Sequence, residues 1–430
     1  MNLTKKPREH PQAVAGPVIV RFLLWVAMAC LAVPTWAQTL SLETWRTDDA
    51  EIWSRDIFPV FSRNNPSIQV RVTPTAAVQY ELALSKRLQQ GVAGDLISCR
   101  AFDRSLPLYA ARQLEDLTEL DELRWFRSLN RLAWTSDFGE RKYCVPVAAV
   151  MTGFFYNKSI FQALGLTVPE TEEALLETLK TIQGHGRYLP LAFGTQEAWQ
   201  ADQVLFNGIG PNHWGGERGR IDLLTGKARF TDEAFVQAWR SLARLAPYLP
   251  AGHRTLSEQG ARELFLSGQA AIYPAGSWEI RFLTESKNAQ QYGVFAPPPP
   301  KGNTTCYVLS HLDMGIGVNA ATAHLDQALH LVRWLTTREF ATTLANTLHG
   351  FFPLSNHLVE INNPLAREMA SWRRSCETTI RINSQFLNRA WPGLEAELWR
   401  TSVQVLRQEI SPEEAATQIS SGVQQWYKPL

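Results

Sequence analysis

An α/β fold in two domains is what this sequence predicts, and three observations predict it. From Thr39 onward, short alternating or apolar runs are interleaved with segments of helical period, the pattern of a largely parallel sheet sandwiched by helices. The chain has 430 residues, past the roughly 250–300 at which one hydrophobic core stops growing. Its composition, 45% hydrophobic and 19% charged, is globular and excludes a disordered or collagen-like chain. Lys and Arg number 42 against 41 Asp and Glu, so no charge excess points to nucleic acid or an anionic membrane. A small neutral partner is expected.

Each element has its own warrant. Thr39-Leu40-Ser41-Leu42-Glu43-Thr44-Trp45 alternates and reads as a half-buried strand. Trp53, Ile57, Val60 and Phe61 then share one helical face, which Asn64-Asn65-Pro66 ends. Ile68-Gln69-Val70-Arg71-Val72 is a second strand, residues 78–90 a second helix, and Asp95-Leu96-Ile97-Ser98-Cys99 a third strand. A second α/β region starts near residue 153, with one helix opening at Pro169-Glu170-Thr171-Glu172-Glu173 and another across Phe235 to Leu245. Pro297 to Pro300 can join neither a helix nor a central strand and marks a rigid surface stretch. Leu325, Ala328, Leu329, Val332 and Leu335 again share a helical face.

Ahead of this lies a targeting segment. Lys5, Lys6, Arg8 and Arg21 precede the apolar run Phe22 to Val33, which is shorter than the about 20 residues that span a bilayer and suits a signal peptide. Pro34 breaks the run, and Thr35-Trp36-Ala37 places cleavage after Ala37, giving a near-neutral exported chain from residue 38. Cys30 follows Ala27-Met28-Ala29 and has more apolar sequence after it, so a soluble protein is expected rather than a lipid-anchored one. Cys99, Cys144, Cys306 and Cys376 remain. An exported context permits disulfides in any of three connectivities, buried free thiols being the alternative. With no C-x-x-C pair, zinc and redox chemistry are not expected.

No phosphate-binding, dinucleotide, nucleophile-elbow or zinc-protease motif is present, and the nine histidines are scattered. Tryptophan stands out, with 15 in all, of which Trp25 and Trp36 belong to the leader. Trp53, Trp239 and Trp334 have helical spacing and read as core. Trp45, Trp199, Trp214 and Trp278 sit among polar and turn residues instead, as in Gln196-Glu197-Ala198-Trp199, Asn212-His213-Trp214-Gly215-Gly216 and Ala275-Gly276-Ser277-Trp278. Such rings suit carbohydrate, because a pyranose has an apolar C–H face for an aromatic ring and hydroxyls for carboxylates and Arg.

Four blocks carry a family resemblance. Tyr143-Cys144-Val145-Pro146 leads to Gly153-Phe154-Phe155-Tyr156-Asn157-Lys158 and Leu166-Thr167-Val168-Pro169-Glu170-Thr171. Ala261 to Trp278, Tyr292 to Pro297, and Gly315-Ile316-Gly317-Val318-Asn319 with the helix ending Trp334-Leu335-Thr336-Thr337 follow in order. Together they resemble the family 1 extracellular solute-binding proteins of ABC importers, the group that includes maltodextrin-binding protein. The resemblance implies a type II-like fold of two lobes, each a mostly parallel sheet flanked by helices, with a ligand cleft between them and closure about a hinge. It implies lobe one at 38–148 and 313–358, lobe two at 153–308 and 359–430, and crossings near 148–153, 308–313 and 358. On that layout Cys99 would pair with Cys144, and Cys306 with Cys376.

Carried over by residue, the resemblance makes Asp49, Asp103 and Arg104 hydroxyl contacts on lobe one. Glu197 would be a hydroxyl acceptor on lobe two, with Trp199 and Trp278 as stacking rings. Trp391 is a looser candidate near the C-terminus, and Trp45 adjoins the first-lobe group. Val150 stands where the family has a further carboxylate, which removes one hydroxyl contact. The expectation is a monomeric periplasmic binding protein that delivers a neutral mono- or oligosaccharide to the transmembrane subunits of an ABC permease, without cofactor, metal or enzymatic activity. A polyol or sugar-phosphate binder and a secreted glycoside hydrolase are the alternatives, the latter needing a carboxylate pair that the sequence does not identify.

Overall fold

Two long strands organise the molecule, seen here in a computed structural model that describes residues 1, 38–137, 139–390 and 393–430. The expected leader and its cleavage point after Ala37 lie outside the described residues, Met1 apart. The first long strand, Val145–Asn157, is an almost continuous apolar run in which every residue but Tyr156 is buried, as a strand covered on both faces must be. The second is Tyr307–Val318. In chain order the strands are β1 (Gln38–Thr44), β2 (Ile68–Pro74), β3 (Leu96–Arg100), β4 (Val145–Asn157), β5 (Leu189–Leu191), β6 (Ala270–Gly276), β7 (Tyr292–Phe295), β8 (Tyr307–Val318), β9 (Phe352–Pro353) and β10 (Glu377–Thr379).

The order β2-β1-β3-β8-β4-β6-β5 splits at the middle. Val145 to Met151 of β4 pair with β8, whereas Thr152 to Asn157 pair with β6 and β7. Similarly, Met314 to Val318 of β8 pair with β3, and Tyr307 to Leu309 with β10. Each long strand therefore begins in one lobe's sheet and ends in the other's. One carries the chain across and the other brings it back, so they lie antiparallel, with a bulge around Ala148. That geometry makes the sheet mixed: the outer pairs β1·β2, β1·β3, β5·β6 and β8·β10 are parallel as expected, while the pairs made by the crossing strands with β3, β6, β7 and each other are antiparallel.

The cores follow the same division. One hydrophobic cluster draws on residues 40–150 and 312–354 plus Ile380, a second on 154–295 and 382–419, and a third, smaller one around Met151, Phe155, Phe352 and Trp372 lies at the crossing. Trp53, Trp239 and Trp334 are buried in these clusters, as their spacing predicts, and so are Trp214 and Trp45. The first predicted helix runs from Ala50 to Asn64 with a wider π-helical turn at Trp53–Ile57. Pro59 follows that turn and cannot donate to the helical ladder, so the register changes where a bond is already missing. The helix expected after Pro169 is Glu172–His185, capped by Thr171.

Cys99 is bonded to Cys144, and Cys306 to Cys376. The first bridge joins β3 to the start of β4 across the intervening β8. Gly317 of β8 lies beneath it, and a Cβ there would sit 2.8 Å from Cys144 Sγ and 2.7 Å from the Tyr143 carbonyl. Only glycine leaves room for the crossing. Among the described residues no helix is long and apolar enough to cross a membrane.

Candidate functional site

The loop after β1 and the turn after β6 meet across the gap between the lobes. Arg46, Asp48 and Asp49 from the first loop, Leu348, His349 and Phe351 from the segment before β9, and Trp278, Arg281 and Phe282 line one small cavity there. The Arg46 guanidinium lies over the Phe351 ring at 4.5 Å and its Nε donates to Asp49 Oδ2 at 2.7 Å. Asp49 is 2% exposed, and its Oδ1 has no hydrogen-bond partner among the described residues.

Trp278 owes its position to what surrounds it. Its six-membered ring folds back over Gly276, where a Cβ would fall 2.0 Å from the ring, so the Gly-x-Trp spacing is a steric requirement. Ser277 between them is fully buried; its Oγ donates to the Gly350 carbonyl and accepts from Met151 N at 3.1 Å, which pins the turn to both the crossing strand and the first lobe. Trp278 Nε1 donates to Glu258 Oε1 at 2.9 Å, and Trp199 packs against the indole with ring centroids 5.9 Å apart. The ring touches both large hydrophobic clusters.

Glu197 accepts from the Glu258 backbone N–H at 3.0 Å, in the first turn of the helix Glu258–Leu266, where a carboxylate also meets the positive end of the helix dipole. Burial pushes the Glu258 carboxyl above its ordinary value, and Glu197 and Asp48 add to this while Trp278 and Arg262 oppose it. Burial likewise pushes Glu279 up to about 7, outweighing the Arg262 guanidinium 2.7 Å away.

At the outer rim the lobes are joined by ion pairs. Asp103 Oδ1 accepts from Arg389 Nε at 2.9 Å and Oδ2 from Asn388 N at 3.3 Å, while Arg389 Nη1 donates to Asp137 Oδ2 at 2.9 Å. Arg104 pairs with Glu395, which also accepts from Gln203. Phe102, at the start of this short turn, has φ +56°, a conformation that costs an apolar residue about 1–3 kcal/mol and is held by burial of its ring.

With this geometry in view the comparisons fall into place. The family profile described as bacterial extracellular solute-binding protein matches residues 45–341. The chain belongs to that family. A multiple sugar-binding protein of Streptococcus mutans is 24% identical over 305 residues, which is 66% of this chain and 67% of the relative. Among solved structures, one from a study of xylan utilization by Caldanaerobius polysaccharolyticus superposes with TM-score 0.77 at 19% identity, over 90% of this chain and 100% of that one. The bacterial solute receptor AcbH, described as preferring β-D-galactopyranose, gives 0.78 at 18% identity, over 91% and 99%. These likenesses establish the two-lobed solute-binding-protein fold.

Of the predicted site residues, this solute-binding protein brings Asp49 and Trp278 to one cavity, with Trp199 and Glu197 directly behind Trp278. Asp103 and Arg104 stand apart at the rim, engaged by Arg389 and Glu395. Trp45 is buried in the first-lobe core, edge-on to Tyr80 with Arg100 over its ring at 4.8 Å. Trp391 lies outside the described residues.

A polar strip along the crossing matches no motif in the sequence. His311 and Asp313 alternate on β8 with Leu312 and Met314, which point into the first core, so the two polar side chains face the other way. Arg381, just beyond β10, feels the charges of Asp202 and Asp313, and Asp313 in turn acts on Arg46. Burial holds Asp202 well above, and His311 well below, their ordinary values. Asp202 Oδ2, His311 Nδ1, Asp313 Oδ2 and Arg381 Nε are all buried without a partner among the described residues. Interior polar atoms are ordinarily paired, so this run stands out from the rest of the buried interior. Its one signal in the chain is the alternation of polar and apolar residues on β8.

Proposed function

We propose that this solute-binding protein is the exported substrate-binding component of an ABC importer and captures a neutral mono- or oligosaccharide between its lobes. The observation that carries the reading is Trp278, a ring held on three sides, bordering the inter-lobe cavity opposite the half-unpaired carboxylate of Asp49. An apolar face opposed by a hydroxyl acceptor is the chemistry of a pyranose. The sugar named for the Streptococcus mutans relative and the galactopyranose named for AcbH support the same ligand class.

In this reading the lobes comprise 38–148 with 313–358 and 153–308 with 359–430, and closure turns about 148–153, 308–313 and 358. The chain is cleaved after Ala37, acts as a monomer in the periplasm, presents the closed form to the permease, and makes or breaks no bond. A thermal-shift panel of mono- and oligosaccharides, polyols and sugar phosphates tests it, because a ligand of the native state stabilises by RT ln(1 + [L]/Kd). A saturable rise with a neutral sugar is expected. A response confined to phosphorylated compounds, or sustained release of reducing ends from an oligosaccharide, would overturn it.

A further inference from the structure

Steric exclusion at Gly276 fixes where the Trp278 ring lies, and it leaves open which way the indole N–H points. That direction matters, because turning the ring changes which face meets a ligand. A single group sets it: Glu258 Oε1 accepts from Trp278 Nε1 at 2.9 Å, from a helix that starts 20 residues earlier in the chain. The same residue's backbone N–H is held by the Glu197 carboxylate at 3.0 Å, so Glu197, Glu258 and Trp278 form one chain of bonds leading from the loop of Trp199 to the cavity.

We propose that Glu258 is the positioning residue of the ligand platform, fixing the Trp278 indole in the orientation that stacks on a sugar, with Glu197 acting through it rather than on the ligand. The sugar is taken from the proposed function; the orientation of Trp278 does not depend on it. Glu258 faces Arg262 one turn along its own helix, Glu197 before the helical turn at Ala198, Asp48 after β1, and Glu279 and Tyr273 on the segment that carries Trp278. Three of those neighbours are carboxylates against one guanidinium, and burial acts in the same direction as the carboxylates. The carboxylate that accepts the indole N–H therefore takes up its proton at a higher pH than an ordinary glutamate, and the charge-assisted bond weakens as it does. Asp48 reaches Glu258 from the loop after β1, across the gap between the lobes.

The experiment uses the full exported chain with Glu258→Gln, Glu258→Leu and Trp278→Phe. Near-ultraviolet circular dichroism of the unliganded proteins is followed from pH 4 to 8, and affinity is measured for whichever panel sugar binds. Wild type is expected to show an indole transition above the ordinary carboxylate range, absent from both Glu258→Gln and Trp278→Phe. Glu258→Leu, which leaves the indole N–H without an acceptor, is expected to bind sugar about tenfold more weakly. Glu258→Gln, whose amide oxygen still accepts, is expected to recover most of that loss. An unchanged transition in Glu258→Gln, or wild-type affinity in Glu258→Leu, overturns the proposal. Should Glu258→Leu fail to fold, loss or survival of the transition in Glu258→Gln decides the matter by itself. Should no sugar bind, a transition lost in Glu258→Gln and Trp278→Phe still supports the positioning role while the sugar reading falls.

Discussion

The two sides of the cleft are held by charges of opposite character. On the side of the crossing strands, which the proposed closure makes the hinge side, Arg262 and Glu279 pair with side chains 15% and 1% exposed, beside Glu258 and Trp278. At the rim, Arg389 meets Asp137 with both side chains about one-third exposed, and Arg104 meets Glu395 at 44% and 12%. The separations are alike, 2.7 Å for Arg262–Glu279 and 2.9 Å for Arg389–Asp103, and the Asp103 side chain is itself only 4% exposed, so neither distance nor that carboxylate distinguishes the two sides. The access of water to Arg389 and Asp137 does. A buried carboxylate responds mainly to whether it must stay ionised, and hence to pH, whereas an exposed pair is weakened by dissolved ions within a Debye length of about 8–10 Å. The hinge side should therefore be a pH-sensitive mount for the aromatic platform, and the rim a salt-sensitive clasp.

The largest expected effect is on the hinge side. Glu279 titrates near 7 in the folded protein against an ordinary 4.5, so the native state holds its proton more tightly than the unfolded chain does. Stability from this group is then greatest below pH 4.5 and declines as pH rises towards 7, by up to about 3 kcal/mol at 1.36 kcal/mol per pH unit. Urea unfolding should find Glu279→Gln, neutral at every pH, close to wild type below pH 4.5 and increasingly more stable than wild type as pH rises towards 7. A constant difference would mean that Arg262 neutralises Glu279 fully and that the two sides of the cleft are electrostatically alike. Next in size is Trp278→Ala, expected to weaken sugar binding by about 2 kcal/mol, near thirtyfold, while leaving the lobes folded. Gly276→Ala should act on the same ring from beneath. Its methyl displaces the indole without removing it, so affinity should fall about tenfold by calorimetry, with little change in circular dichroism at far-ultraviolet wavelengths.

Much of this arrangement is legible in the sequence because local rules govern it. Alternation marks β1 and helical period marks the helix from Ala50, whereas β4, an almost continuous apolar run buried on both faces, is not marked as a strand by any local reading. The antiparallel placement of β4 and β8 is not legible, since it arises from the chain crossing twice between lobes and no local pattern records a crossing. Asp49 is singled out only by the family resemblance, whereas Trp278 can be singled out because a Gly-x-Trp turn among polar residues is a short-range feature. Glu258 cannot, because its partner lies 20 residues on and nothing in Ser257-Glu258-Gln259 distinguishes a helix-starting glutamate that caps from one that holds a ring. Asp103 and Arg104 show the complementary limit. Their residue types fit a sugar, yet the loop that follows β10 supplies Arg389 and a later helix supplies Glu395, and tertiary contact engages both first.

That engagement gives the smallest and most discriminating test. Arg389 bridges Asp103 and Asp137, and its guanidinium also lies over Phe386 at 4.5 Å, on a loop where Gln385 and Phe386 both take positive φ. Surface pairs of this kind contribute about 0–1 kcal/mol each; Arg389→Gln removes two of them, so it should shift the balance towards the open form and weaken sugar binding severalfold, by about 1 kcal/mol in all. For the neutral sugar proposed above, salt cannot act on a charge of the ligand. If the rim pairs hold the closed form, wild-type affinity nevertheless declines as sodium chloride is raised from roughly 0.02 to 0.5 M, a range over which the Debye length contracts severalfold, and Arg389→Gln flattens that decline. Small-angle scattering of the unliganded protein should move in parallel, expanding with salt in wild type and less so in the variant. A salt dependence that survives in Arg389→Gln would shift the clasp to Arg104 and Glu395, the other pair across the gap, where Arg104→Gln would then abolish it. No salt dependence in wild type would leave closure to the hinge side alone, with Trp278 and the polar strip of β8 supplying the differential affinity that brings the lobes together.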